Sequence, residues 1–377
     1  MEEKEQKKKN NFLRNSIVVI IVFFVGMAAM YGITYFFPMA VIRDNVITKL
    51  EKDITITNEG AGIADAVEKV YDSVVVVNTY VKGEPYASGT GFVFKKEDGK
   101  AYILTNNHVI NNASEVYVTF TDGNVVKTDI VGSDALSDVA VLSVAEKNVI
   151  AVATLGKSES LRLGDTAFAI GAPLDSAYSW SVSRGIISGK DRLIEVDVTE
   201  GNTKTPMVVK TIQTDTAINN GNSGGPLANS NGEVIGINSI KLASESIEGM
   251  GFAIPIETAL EYAETFIRGE KIVRPYLGIG MVDVSKVYYS FDRTYYRLIR
   301  DADVTKGVIV SAVEAKSSAA LAGLKENDII TKVDGKEVAT NAYLRYYLYE
   351  HKVGDEMILT IIRNSKEMEI KVKLVEK

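Results

Sequence analysis

The chain has 377 residues, with 42 Lys and Arg against 49 Asp and Glu, a net charge of −7 and no cysteine. The acidic balance argues against binding a polyanion such as nucleic acid, and the missing thiols exclude a disulfide framework, a thiol nucleophile and a cysteine-based zinc site. With two histidines far apart no metal cluster and no cofactor is expected, and no glycine-rich phosphate loop stands in the strand context it needs.

In chain order, residues 1–15 form a basic tail carrying Lys4, Lys7, Lys8, Lys9 and Arg14. Ile17 to Phe37 is then almost uninterruptedly apolar and uncharged. A helix needs about 20 such residues to cross hydrocarbon, so a single transmembrane helix is expected over 16–38. The preceding cations keep the N-terminus in the cytoplasm and send the remainder outside, which makes the expected location a cell membrane with the bulk of the chain extracytoplasmic. A cleaved signal peptide would have a shorter core ending in small residues, whereas this run ends Tyr35-Phe36-Phe37-Pro38. Residues 39–62 read as a stalk without chemistry, and Gly62 to Tyr71 as a short amphipathic helix.

From Ile63 to Ile254 short β-branched runs alternate with Gly, Asn and Asp turns, the pattern of a mainly β fold with a large strand count. Such runs are Ser73 to Tyr80, Val116 to Phe120, Val139 to Val144 and Val208 to Thr214, and Asp98-Gly99, Asp122-Gly123 and Asn231-Gly232 supply hairpin turns. Ile256 to Arg268, between Pro255 and Gly269, predicts a helix that closes this region at 63–268.

Three positions in this stretch carry chemistry. His108 follows the β-type run Ala101-Tyr-Ile-Leu-Thr, where a strand end can hold an imidazole. His351 stands near the C-terminus of a predicted helix over 341–350 and reads as a surface residue. Asp138 directly precedes a buried-looking strand and is the carboxylate best placed to orient a histidine, with Asp134 and Asp165 as solvated-turn rivals. Ser223 lies in Gly221-Asn222-Ser223-Gly224-Gly225-Pro226, where glycines let the backbone turn sharply and the amides of Gly221 and Ser223, set by the Asn222 peptide, converge as an oxyanion hole. The order His108, Asp138, Ser223 is that of chymotrypsin-type proteases. The α/β-hydrolase reading of Gly-Asn-Ser-Gly-Gly fails because Pro226 and Asn231-Gly232 announce a hairpin and the strand 233–240, not a helix.

Thr105-Asn-Asn-His108-Val, Ser137-Asp138-Val-Ala-Val-Leu, Gly221-Asn222-Ser223-Gly224-Gly225-Pro226-Leu227 and Gly251-Phe-Ala-Ile-Pro255 together resemble the HtrA (Deg) serine proteases, a likeness reaching from about Ile63 to the C-terminus. The resemblance implies a trypsin-like pair of six-stranded β-barrels with the site between them, misfolded or tagged protein substrates, ATP independence and a homotrimer. It also implies that Ile218 and Ile237-Asn238-Ser239 line the primary specificity pocket. No acidic residue falls at those positions, so small or medium apolar side chains are expected there. General degradation, a single regulatory cut in a stress cascade, and a chaperone or scaffold with little proteolysis all remain open; the intact triad favours proteolysis.

After the linker Arg268-Gly269-Glu270-Lys271, residues 275–377 resemble a PDZ domain, sandwich-like with two helices, through Tyr276-Leu277-Gly278-Ile279, Gly307 to Val313, Ala319 to Leu324, Asp328 to Gly335 and a closing strand near 357–363. The amides of Tyr276 to Ile279 would hold a peptide's terminal carboxylate while the next strand pairs with its backbone. Ser318 stands where the family commonly has proline and Asn327 where it has glycine. The tyrosine-rich stretch Tyr288 to Tyr296 reads as a helix packed on its own domain.

Overall fold

The computed structural model describes residues 20–28, 59–172, 179–200, 203–239, 249–289 and 294–376. The chain divides into two units, residues 1–60 and a compact unit over 61–377. In the first unit residues 20–28 are helical with exposed side chains. The rest of the expected anchor, and the stalk as far as residue 58, lie outside the described residues. Among the described residues no helix is long and apolar enough to cross a membrane.

Helix α1 (Glu59–Tyr71) leads into the first sheet. Its apolar positions 63, 66, 67 and 70 recur at three- and four-residue intervals, so one stripe faces inward, with Ala66 and Val70 fully buried. Seven antiparallel strands follow: β1 (Val74–Val81), β2 (Glu84–Glu97), β3 (Lys100–Thr105), β4 (Glu115–Thr119), β5 (Val125–Lys127), β6 (Asp129–Asp134) and β7 (Val139–Ala145). Their order is β5-β4-β1-β2-β3-β7-β6. The helical turn α2 (Asn107–Ile110) hangs between β3 and β4. Asp98 and Gly99 both sit at positive φ, 51° and 75°, as a two-residue turn matched to strand twist requires.

The next six strands close into a barrel: β8 (Thr166–Gly171), β9 (Ser181–Glu200), β10 (Thr203–Thr214), β11 (Pro226–Asn229), β12 (Val234–Asn238) and β13 (Gly251–Pro255), in the order β10-β13-β12-β11-β8-β9. The expected pair of six-stranded barrels is therefore corrected for the first half. It is a seven-stranded sheet, one strand more than expected because the Asp122-Gly123 turn adds the short strand β5, and its end strands β5 and β6 do not pair with each other. Helix α3 (Ile256–Ile267) buries Ile256, Ala259, Ala263 and Phe266. They join a core that also takes Phe92 and Leu104 from the first sheet and Phe168 and Ile254 from the barrel. One shared core of this kind holds the facing ends of the two sheets in fixed register.

The C-terminal region opens with β14 (Pro275–Tyr276) and β15 (Ile279–Asp283), then α4 (Val284–Tyr289), α5 (Tyr296–Ala302), β16 (Val308–Val313), α6 (Ser318–Ala322), β17 (Ile329–Val333), β18 (Lys336–Glu337), α7 (Asn341–Tyr349), β19 (Glu356–Arg363), β20 (Lys366–Lys373) and β21 (Val375–Glu376). The main sheet runs β15-β16-β17-β19-β20, while β14 pairs with β21. Four helices occur among the described residues, not two, because α4 and α5 are added; the tyrosine-rich stretch gives only the end of α4 and the start of α5, and residues 290–293 of it lie outside the described residues. Val284, Val287 and Ile299 of these helices pack on Ile309 and Ile329, within their own domain. The strand at 356–363 does not close the fold, since two more follow it.

Both departures from the family pattern have a physical account. The Ser318 hydroxyl donates to the Tyr276 carbonyl at 2.7 Å and accepts from the Val375 amide at 3.0 Å, tying β14 to β21. Asn327 sits at φ 71°, the left-handed region where asparagine is tolerated and glycine is at ease.

Candidate active site

His108 and Asp138 meet where α2 packs beside the start of β7. The imidazole Nδ1 lies 2.8 Å from Asp138 Oδ2 and 3.0 Å from Oδ1. The backbone amide of His108 also donates to Oδ1, at 3.0 Å, and the Ser239 hydroxyl to Oδ2, at 3.1 Å. A carboxylate accepts only, so Nδ1 must carry the proton and Nε2 is left as the basic nitrogen. Asp138 is buried, whereas His108 keeps access to solvent.

The backbone explains how Asp138 reaches this position. Its φ is 56°, a left-handed conformation that costs a side-chain-bearing residue roughly 1 kcal/mol and that aspartate tolerates better than most. The twist turns its carbonyl toward the Asn107 amide and the Asn106 side-chain amide, at 3.1 and 3.0 Å, while its carboxylate points at His108. The residue is thus held at both ends.

Ser223 begins the turn into β11 and is buried to 3% exposure. Its carbonyl accepts from the Thr90 amide at 2.9 Å, which fastens the loop to β2. Gly221 and Gly224 both have positive φ, 100° and 84°. A side chain at Gly224 would collide with the Thr90 carbonyl oxygen and Thr105 Oγ1, so only glycine lets this loop lie against the strand that leads to His108. Thr90 Oγ1 donates to the Gly221 carbonyl at 2.7 Å, fixing that peptide from outside the loop. Asn222 braces it from within, through Oδ1 to the Asn219 amide and Nδ2 to the Ala217 carbonyl, both at 3.0 Å. The Asn222 amide donates to the Asn219 carbonyl at 3.2 Å, so Asn222 shapes the expected anion pocket and is not one of its donors.

Of the expected pocket residues, Ile218 is half-buried and leans over Gly251, where a Cβ would come within 2.6 Å of its Cγ1. Ile237 instead belongs to the shared core, because β12 turns that side chain inward. Asn238 is fully buried, with its Nδ2 on the Pro226 carbonyl and its own carbonyl on the Gly224 amide. Ser239 spends its hydroxyl on Asp138. The side chains of these three are thus engaged in the core, the loop and the Asp138 carboxylate.

The rivals of Asp138 are engaged elsewhere. Asp134 forms a two-pronged pair with Arg274, at 2.8 and 2.7 Å, and accepts from the Ser137 amide at 2.7 Å. Burial alone would raise its pKa, but the Arg274 guanidinium and the Ser137 amide outweigh it and hold the carboxyl below its ordinary value of 3.8. Arg274 is stabilised as the cation in turn, with the rings of Tyr262 and Tyr349 5.9 and 5.5 Å from its guanidinium carbon. Asp165 sits in a surface turn, its pKa lowered by the bond from Arg162. His351 is half-buried, with Nδ1 2.9 Å from the Tyr347 carbonyl and Nε2 3.0 Å from Asp334, remote in role from the His108 cluster.

At the C-terminal region, Leu277, Gly278 and Ile279 line one side of an apolar groove whose other side is formed by Leu344, Arg345 and Leu348 of α7. Tyr276 also lines it, and its hydroxyl donates to Glu314 at 2.5 Å. Strand β15 is bonded to β16 on one flank only and borders the groove as an edge strand among the described strands.

Comparison with known proteins agrees with this layout. Residues 89–237 match the model of a trypsin-like peptidase domain, and 275–374 that of a PDZ domain. The chain is 37% identical over 364 residues to serine protease Do-like HtrB of Bacillus subtilis, covering 91% of this chain and 78% of that one. The chain belongs to the HtrA family of serine proteases. Another member, serine protease Do-like HtrA of Bacillus subtilis, is 44% identical over 291 residues, which span 77% of this chain and 64% of the relative. The crystal structure of the serine endoprotease from Yersinia pestis superposes with TM-score 0.61 at 30% identity, over 84% of this chain and 98% of that one. The HtrA-type protease AlgW, solved with a decapeptide, gives TM-score 0.63 at 27% identity, over 84% and 98% of the two chains.

Proposed function

We propose that this HtrA-family chain is an ATP-independent serine endopeptidase of extracytoplasmic protein quality control, with Ser223 as nucleophile, His108 as base and Asp138 as its orienting carboxylate. The observation that carries the reading is the His108 Nδ1 contact with both oxygens of buried Asp138, which leaves Nε2 as the proton acceptor. Ser223 Oγ attacks the scissile carbonyl carbon and its proton passes to Nε2. The carbonyl oxygen becomes an anion held by the Gly221 and Ser223 amides, a contribution worth roughly 10²–10³ in rate for one such donor. On collapse the imidazolium gives its proton to the leaving amine, an acyl ester remains on Ser223, and water repeats the sequence to release the acid.

Ile218 over Gly251 favours a small or medium apolar side chain at the cleavage position. The PDZ groove takes C-terminal or extended peptides along β15, with the Tyr276 to Ile279 amides toward the terminus. The apolar run at 17–37 and the cations before it support a single-pass anchor with the catalytic region extracytoplasmic, and the family suggests a homotrimer. Incubating unfolded casein with the protein and with its Ser223→Ala variant tests the reading: the first degrades it without ATP, the second does not. Equal degradation by both would refute it.

A further inference from the structure

The apolar groove beside β15 contains one charged side chain, Arg345, among ten residues that otherwise carry none. Arg345 Nη1 donates to two neutral oxygens, the Pro206 carbonyl of β10 at 3.1 Å and Asn341 Oδ1 at 3.0 Å. No carboxylate among the described residues forms an ion pair with it, in contrast to Arg274 and Arg363, each clamped by an aspartate at 2.7 Å. The guanidinium is half-buried, and burial lowers its pKa against the opposing influence of Tyr349 and Asp283. A cation in that state has lost water without a carboxylate in direct contact, Asp283 acting on it only through space, and its planar fork still has N–H groups to offer.

Resting on the reading that this groove takes an extended peptide, we infer that Arg345 selects for peptides with an Asp or Glu side chain a few residues upstream of an apolar C-terminal residue. The apolar lining from Leu277, Ile279, Leu344 and Leu348 receives the terminal side chain. The acidic side chain meets Arg345 as a two-pronged carboxylate, the geometry in which guanidinium bonds are strongest. The ligand class is thus an apolar-ended, acid-bearing peptide rather than a wholly apolar one.

The test uses the full chain in detergent with Ser223→Ala to prevent cleavage, and fluorescein-labelled octapeptides that share two apolar C-terminal residues. Glu, Gln or Lys is placed in turn at the third, fourth and fifth positions from the C-terminus, and affinities are read by fluorescence polarisation. At one of these positions Glu binds about tenfold more tightly than Gln, and Lys more weakly than Gln, as one charge-assisted contact provides. The preference shrinks with salt. Arg345→Gln removes it, Arg345→Lys keeps part of it, and Arg345→Glu reverses it toward Lys peptides. Binding without any Glu preference, or a preference that survives in Arg345→Gln, overturns the inference while leaving the groove as a peptide site. A loss in Arg345→Gln that is equal for Glu and Gln peptides also overturns it, because the guanidinium then reads the main chain or terminus. Failure of every peptide to bind overturns the groove reading itself. The Glu-to-Gln ratio on protein that retains Arg345 is decisive whether or not a variant folds.

Discussion

At the residue scale, the site depends on single hydrogen bonds that fix orientation more than on bulk packing. Asp138→Asn keeps shape and size but presents an amide to Nδ1, so the wrong tautomer is favoured; kcat should fall on the order of 10⁴ with little change in KM. Kinetics on a short chromogenic substrate check this, and a larger loss in Asp134→Asn would mean that the wrong carboxylate was assigned. Ser239→Ala removes one of the donors to Asp138 Oδ2. It should lower kcat by roughly tenfold, in line with a hydrogen bond to a charged group, while thermal stability shifts little. An unchanged kcat would show that Ser239 only fills space. The His108–Asp138 pair was legible because only two histidines leave almost no choice of base, and Asp138 directly precedes a buried strand. Ser239 and Thr90 were not legible in these roles, since their partners Asp138 and Gly221 lie more than a hundred residues away and only the closed fold brings them near.

At the element scale, the links between segments decide what local pattern cannot. The Asp134–Arg274 pair joins the turn before Asp138 to the segment entering the PDZ region. Because Asp134 has a folded pKa below its ordinary 3.8, the stability it contributes is fully present above that value and is lost as pH falls through the lower folded pKa. Asp134→Asn should therefore destabilise the protein strongly at pH 7, by about 3 kcal/mol when a buried pair loses one partner, and less at pH 3, below the ordinary value of 3.8. Thermal unfolding at the two pH values checks the sign; an equal loss at both would remove the ion pair from the account. Helices α1 and α3 were readable from three- and four-residue apolar spacing. Strand β5 was not, being three residues long, and β20 hides its apolar Ile370 and Val372 among Lys and Glu, as the outer strand of a sheet does. That β5 and β6, separated in sequence only by Thr128, lie at opposite ends of the sheet is set by their long-range partners β4 and β7, on which short sequence windows are silent.

At the scale of the whole molecule, an apolar run, a protease region and a peptide-binding region are read as one extracytoplasmic machine held at a membrane. Protease added outside intact spheroplasts should digest the chain beyond Pro38, and protection of that region would reverse the orientation drawn from Lys4 to Arg14. The central claim is narrower, that peptide-bond cleavage runs through an activated Ser223. The most direct measurement is treatment of the folded protein with diisopropyl fluorophosphate followed by peptide mass spectrometry. One phosphorylated residue, Ser223, is expected, with loss of casein cleavage in proportion to labelling and no adduct in His108→Ala. Full cleavage activity in protein whose Ser223 is fully labelled, or an adduct on another serine that tracks the loss of activity, would contradict it.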